Sequence, residues 1–171
     1  MASPAKLAHI VIKTGALQEM LDWYVSVLDG RVVFATDAFA FMTYDAEHHR
    51  VGFLNIPGAE KPGDLHTGLA HVAFTYDTLE ELLDNYTRLK DTGTLPYWNV
   101  NHGPTTSMYY ADPDGNNVEL QYDNFKTDDE LQQFVDSGKF NDNPIGIEYS
   151  PEDLIRGLAE GVPVKTLVQL P

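Results

Sequence analysis

Apolar residues recur along this chain in two alternating rhythms. The runs Leu7–Ile12 and Leu69–Thr75 are short and apolar and predict strands. Behind the first, Leu17, Met20, Leu21, Tyr24 and Leu28 return every three or four positions, and behind the second Leu79, Leu82, Leu83, Tyr86 and Leu89 do the same. That spacing predicts one helix after each strand. Gly30 and Gly93 mark where the two helices are expected to end. Strand-like stretches follow over Arg31–Ala35, Phe39–Tyr44 and Arg50–Ile56, and again over Leu95–Val100, Ser107–Ala111 and Asn117–Tyr122. Asp45-Ala46-Glu47 and Asp112-Pro113-Asp114-Gly115-Asn116 read as hairpin turns.

The two rhythms are copies of one another. A shift of 62 residues lays Leu7-Ala8-His9 on Leu69-Ala70-His71. The same shift matches Leu17 with Leu79, Glu19 with Glu81, Leu21 with Leu83, Asp22 with Asp84, Tyr24 with Tyr86 and Asp29 with Asp91. A long-period match of this kind marks duplicated supersecondary units. Two copies are too few for a solenoid, so the pattern predicts a pseudo-twofold pair of strand–helix–three-strand modules, at about 7–56 and 69–123. Residues 57–68, with Pro57-Gly58 and Pro62-Gly63, would connect them. The fold class is therefore α+β, with residues 1–123 as one domain and 124–171 as a short helical extension packed on it. In that extension Thr127 and Glu130 have capping-box spacing for a helix to about Ser137, and Pro151 opens another helix. Residues 143–149 read as a turn and an extended piece.

Composition narrows the function. The chain has 171 residues, with 11 basic and 26 acidic ones, for a net charge of −15. That field repels phosphate backbones and anionic lipid, which excludes nucleic-acid and membrane-surface partners. No run is long enough to span a bilayer. The first residues lack the basic start, long apolar run and cleavage site of a signal peptide, so a cytoplasmic protein is expected. Cysteine is absent, which removes disulfides, thiolate metal sites and Cys nucleophiles. Any bound metal must then be held by His and carboxylate.

Six histidines are available: His9, His48, His49, His66, His71 and His102. A single histidine within a strand is commonly a hydrogen-bonded core residue. His9 and His71, however, occupy matching places in the middle of the two first strands, and a pseudo-twofold pairing would bring their imidazoles together. Glu119 lies in a strand whose Val118, Leu120 and Tyr122 share one face, leaving Glu119 on the other with Gln121; composition alone would turn it to solvent, and two histidines awaiting an anionic ligand reverse that reading. Two His and one carboxylate describe the facial triad of non-haem Fe(II) oxygenases, and zinc or manganese can use the same three groups. His66, in the connecting loop, has no assigned role.

The repeat together with His9, His71 and Glu119 resembles the vicinal oxygen chelate superfamily, over roughly residues 7–123. Glu47-His48-His49-Arg50-Val51 resembles the paired-His segment of type I extradiol dioxygenases. The run from Asn101-His102-Gly103-Pro104 through Tyr109 to Asn116 resembles the approach to the carboxylate ligand in their single-domain members. That resemblance implies a metal held by His9, His71 and Glu119, namely Fe(II), with Mn(II) or Zn(II) as alternatives. It implies His49 as the catalytic acid/base, with His48 turned away by strand alternation, and Tyr109 in contact with substrate. His102, in the Gly-Pro loop, would stabilise the substrate oxygen that Tyr109 contacts or serve as a second proton donor. The glyoxalase I group places a second carboxylate ligand on the strand equivalent to Arg50–Ile56, which here has none. Bleomycin-resistance proteins lack the triad altogether.

The expected activity is Fe(II)-dependent extradiol ring cleavage, with a small aromatic diol and O₂ as partners. The alternatives are another metal-dependent isomerase or lyase of the superfamily, or a small-molecule binding or resistance protein. Trp23, Trp98, Phe39, Phe41, Phe53, Phe74 and Tyr97 offer aromatic surface for a ring, without a face assigned to any of them. Exposed sheet edges of such modules predict a homo-oligomer.

Overall fold

The computed structural model describes residues 2–61, 63 and 67–170. Within the predicted connecting segment, Pro62 and Asp64–His66 lie outside the described residues. The chain forms two compact units, Met1–Gly68 with Asp112–Asn116, and Leu69–Ala111 with Asn117–Pro171.

The first unit contains β1 (Ile10–Thr14), α1 (Leu17–Val27), β2 (Arg31–Ala35), β3 (Phe39–Thr43) and β4 (Val51–Asn55). Its sheet order is β1-β4-β3-β2, with β1 parallel to β4 and the other pairs antiparallel. The helical period puts Met20, Leu21, Tyr24 and Val27 on the buried face of α1. They meet Ala40, Met42, Val51 and Phe53, which the pleat turns to the same side, and the rings of Tyr24 and Phe53 are 5.3 Å apart. The helix stops at Val27, before the predicted Gly30. Gly30 instead serves a close approach: a Cβ there would collide with the Met42 side chain and lie 2.8 Å from the Thr43 carbonyl oxygen. The Asp112–Asn116 turn is braced by its own aspartate, which accepts from Asn116 N and Nδ2 at 2.8 Å each and from the Tyr24 hydroxyl at 3.1 Å.

The second unit repeats the plan with β5 (Val72–Tyr76), α2 (Leu79–Asp91), β6 (Trp98–Asn101), β7 (Thr105–Ala111) and β8 (Asn117–Asp123). α3 (Asp128–Asp136), α4 (Lys139–Asp142), β9 (Ile147–Glu148), α5 (Pro151–Ala159) and α6 (Val164–Leu167) follow. The sheet order is β5-β8-β7-β6-β9, so the extended piece after α4 becomes a fifth strand antiparallel to β6. Thr78 and Glu81 close a full capping box on α2. The Thr127–Glu130 pair closes only half of one: Thr127 accepts from Glu130 N at 3.2 Å, while the Glu130 carboxylate takes Lys126 N at 2.9 Å. α5 is anchored on α2 where the Tyr86 hydroxyl donates to Glu152 Oε1 at 2.5 Å, beside Lys90 Nζ at 2.6 Å.

The first strands of both modules begin later than expected. His9 and His71 are each the residue before a strand rather than its middle. The reason is competition for backbone carbonyls. The Arg50 guanidinium takes the carbonyls of Leu7 and Ala8 at 2.8 and 3.2 Å, and Asn117 Nδ2 takes that of Ala70 at 3.2 Å. Ladder pairing therefore opens at Ile10↔Val51 and at Val72↔Val118, and Leu7 and Leu69 are left exposed.

Candidate active site

Glu119 sits inside β8, with Ala73 of β5 and Tyr109 of β7 as its register partners. Alternation places it opposite the core residues Val118 and Leu120, as the sequence pattern required. The residue is only 4% exposed, and its Oε2 lies 3.0 Å from Nε2 of His71. A buried carboxylate is costly unless something cationic or hydrogen-bonding meets it. Here the companions are an imidazole and a phenol. The His71 and Tyr109 rings meet edge-to-face at 5.6 Å, and Trp98 stacks on Tyr109 at 5.0 Å. Burial raises the Tyr109 hydroxyl pKa, and the Glu119 charge raises it further, so Tyr109 is a phenol rather than a phenolate near neutrality. His102 completes the row, with Nε2 at 3.0 Å from the Tyr109 hydroxyl and Nδ1 at 2.6 Å from the Ile145 carbonyl oxygen.

In the first unit, His9, His48 and His49 form a second cluster. The His9 ring is 4.2 Å from that of His49 and 6.2 Å from that of His48. His48 and His49 do not face opposite ways. Their Nδ1 atoms are 2.6 Å apart, because residues 44–50 form a loop in which strand alternation does not operate. Phe41 stacks on His49 at 4.5 Å, followed by Phe39 at 5.4 Å from Phe41 and Phe34 at 5.6 Å from Phe39. The His49 pKa is lowered, first by burial and then by the charges of His9 and His48, which favours the neutral ring.

Arg50 ties this cluster down. Its side chain bonds Asp45 through two nitrogens, at 3.0 and 2.7 Å, as well as the Leu7 and Ala8 carbonyls, and its own carbonyl accepts from Ile10 N at 3.1 Å. The Asp45 carboxyl is thereby held down at a pKa of about 2. Sequence reasoning assigned Arg50 no role; its position next to the paired histidines was the available signal. Phe41 and Trp98 were among the aromatic candidates, but only the structure shows which rings they cover.

The structure thus brings His71, Glu119, Tyr109 and His102 together in one unit, and His9, His48 and His49 in the other. Among the described residues, no three His, Asp or Glu side chains stand together as a ready-made metal centre. The donor chemistry nevertheless suits a divalent metal, because a buried carboxylate oxygen and an imidazole nitrogen converge at Glu119 and His71. Among the described residues no helix is long and apolar enough to cross a membrane.

Sequence and fold comparisons agree on the class. The chain belongs to the Glyoxalase/Bleomycin resistance protein/Dioxygenase superfamily, whose family model matches residues 6–120. Among curated relatives, Biphenyl-2,3-diol 1,2-dioxygenase 2 of Rhodococcus globerulus is 44% identical over 96% of this chain and 87% of its own length. Biphenyl-2,3-diol 1,2-dioxygenase 3 of the same organism is 43% identical over 98% of this chain and 89% of its own length. A solved glyoxalase/dioxygenase from Nostoc punctiforme shares the fold, with a TM-score of 0.58 at 20% identity over 72% of this chain and 96% of that one.

Proposed function

We propose that this chain is an Fe(II)-dependent extradiol dioxygenase that opens the ring of a catechol-like diol with O₂. The observation that carries the reading is the buried Glu119 carboxylate against His71, continued by Tyr109 and His102. The near-full-length similarity to two biphenyl-2,3-diol dioxygenases supports it. In this reading His9, His71 and Glu119 hold the metal, and residues 1–123 are the domain that carries the site, with 124–171 as its extension. Fe(II) bound to these groups would supply the Lewis acidity and redox chemistry that let a diol and O₂ react.

The chain's own residues do the rest. His49, kept neutral by its surroundings, accepts a hydroxyl proton from the diol and later returns one. Phe41 locks the His49 ring by stacking, which holds its nitrogens in one orientation. Tyr109 hydrogen-bonds a substrate oxygen, and His102 acts on that oxygen through its own contact with the Tyr109 hydroxyl. β4 carries no carboxylate, so no fourth anionic ligand comes from that strand. The enzyme is read as cytoplasmic and homo-oligomeric.

The test is anaerobic reconstitution with Fe(II), Mn(II) or Zn(II), followed by oxygen uptake with a panel of catechols including a biphenyl diol. Stoichiometric O₂ consumption with a yellow ring-opened product is expected for Fe(II). No oxygen uptake, with anaerobic turnover of a substrate bearing vicinal oxygens, would make the chain an isomerase or lyase instead.

A further inference from the structure

The segment Asn143–Tyr149 is fastened at both ends and along its length. The Asn143 side chain brackets Gly146, accepting from its N–H at 3.0 Å and donating to its carbonyl at 2.8 Å. Ile147 and Glu148 pair with Asn101 and Val100 of β6. The Trp98 indole N–H donates to Glu148 Oε1 at 2.9 Å, and the Tyr149 hydroxyl to the Ser107 carbonyl at 3.3 Å. Gly146 has φ +96, and a Cβ there would collide with the Asn101 carbonyl and lie 2.7 Å from His102 Cα. Only glycine allows this approach cheaply. Its consequence is that the Ile145 carbonyl oxygen reaches 2.6 Å from His102 Nδ1.

A carbonyl oxygen can only accept, so the hydrogen of that bond belongs to Nδ1. In the neutral ring Nε2 is then bare and must accept from the Tyr109 hydroxyl, 3.0 Å away. Tyr109 has one hydrogen and two acceptors within reach, His102 Nε2 and the Glu119 carboxylate. The opposite tautomer would donate from Nε2 to the phenol oxygen and release that hydrogen to Glu119 or to a ligand. We propose that the Asn143–Tyr149 strap is a positioning element: its Ile145 carbonyl selects the Nδ1–H tautomer of His102, directs the Tyr109 hydrogen onto His102, and leaves the Tyr109 oxygen to accept from a substrate hydroxyl. The tautomer stands on geometry alone, whereas its effect on turnover rests on the ring-cleavage reading.

The experiment uses ¹⁵N-histidine-labelled full chain, first metal-free, where nitrogen chemical shifts report which ring nitrogen of His102 is protonated. Wild type should show Nδ1–H with bare Nε2. Asn143→Ala removes both side-chain bonds to Gly146, and Gly146→Val pushes the strap away. In each, the Nδ1–H to Nε2–H ratio should fall by about fivefold, the equivalent of one neutral hydrogen bond. Asn143→Asp keeps the acceptor for Gly146 N but loses the donor to its carbonyl, and its ratio should fall between those of wild type and Asn143→Ala. After Fe(II) loading, the loss of diol turnover should follow the loss of the Nδ1–H tautomer across the variants, with Asn143→Asp affected less than Asn143→Ala. A wild-type Nε2–H tautomer, an unaltered ratio in both disrupted variants, or an altered ratio with unchanged diol turnover overturns the proposal. A wild type that shows the expected tautomer but consumes no oxygen with any catechol overturns the ring-cleavage reading and the strap's part in turnover, not its hold on His102.

Discussion

Glu119→Gln separates a metal ligand from a structural carboxylate. The substitution preserves volume at a site only 4% exposed. An amide can still hydrogen-bond the His71 imidazole, so packing is retained. The contact it weakens is a modest one, because the His71 side chain is 43% exposed and water screens it; about 0–1 kcal/mol is at stake. The metal-free variant should therefore unfold within about 4 °C of wild type, since 1 kcal/mol moves the midpoint of a chain this size by about 2–4 °C. Metal linkage is larger. At about 1,000 times its Kd, a bound metal stabilises by about 4 kcal/mol, which corresponds to a rise of about 8–16 °C. Wild type should show that rise in anaerobic calorimetry with Fe(II), and in air with Zn(II) or Mn(II). Glu119→Gln, lacking the anionic donor, should show almost none. An equal rise in the variant would refute Glu119 as a ligand. A metal-free variant that is already unfolded at 25 °C would show that the carboxylate is there for the fold.

His49→Phe keeps the stack on Phe41, so metal content should persist while turnover falls about 10²–10⁴-fold; lost metal would make His49 a ligand, and unchanged turnover would remove it from the mechanism. Leu54→Glu should maintain or raise metal affinity and depress ring cleavage, because an added carboxylate competes for open coordination positions; Asn55→Glu should not, since alternation turns Asn55 to the side of the buried Phe53 and Leu54 to the side of Phe41. Unaltered ring cleavage in Leu54→Glu would sink that assignment. Asp45, held at a pKa of about 2 by Arg50 against an ordinary value of about 3.9, adds stability that is complete above the ordinary value and lost as pH falls through 2. Asp45→Asn should thus lower the unfolding midpoint at pH 7, with the deficit closing between about pH 4 and pH 2 and shrinking in 1 M salt; a deficit that survives below pH 2 would disprove the linkage.

The duplication and its elements were legible in the sequence because they are local. The three- and four-residue spacing in Leu79–Leu89 could only be one helical face, and the alternation around Glu119 could only set it opposite Val118 and Leu120. The strand Arg31–Ala35 has the same bounds in the sequence pattern and in the structure. Residue chemistry was equally plain: with no cysteine, only His and carboxylate can hold a metal, and Glu119 does meet His71. Contacts made across the chain decided the rest. Whether His9 and His71 lie in a strand or before it depended on Arg50 and Asn117 claiming carbonyls 43 and 47 residues away. Whether His48 faces away from His49 depended on a loop conformation that no periodicity encodes. The tautomer of His102 depends on a carbonyl 43 positions further on, and Leu54 rather than Asn55 is singled out by register with β3. Periodicity reports which face a side chain takes within its own element; the partner on that face comes from another part of the chain, and only folding brings it there.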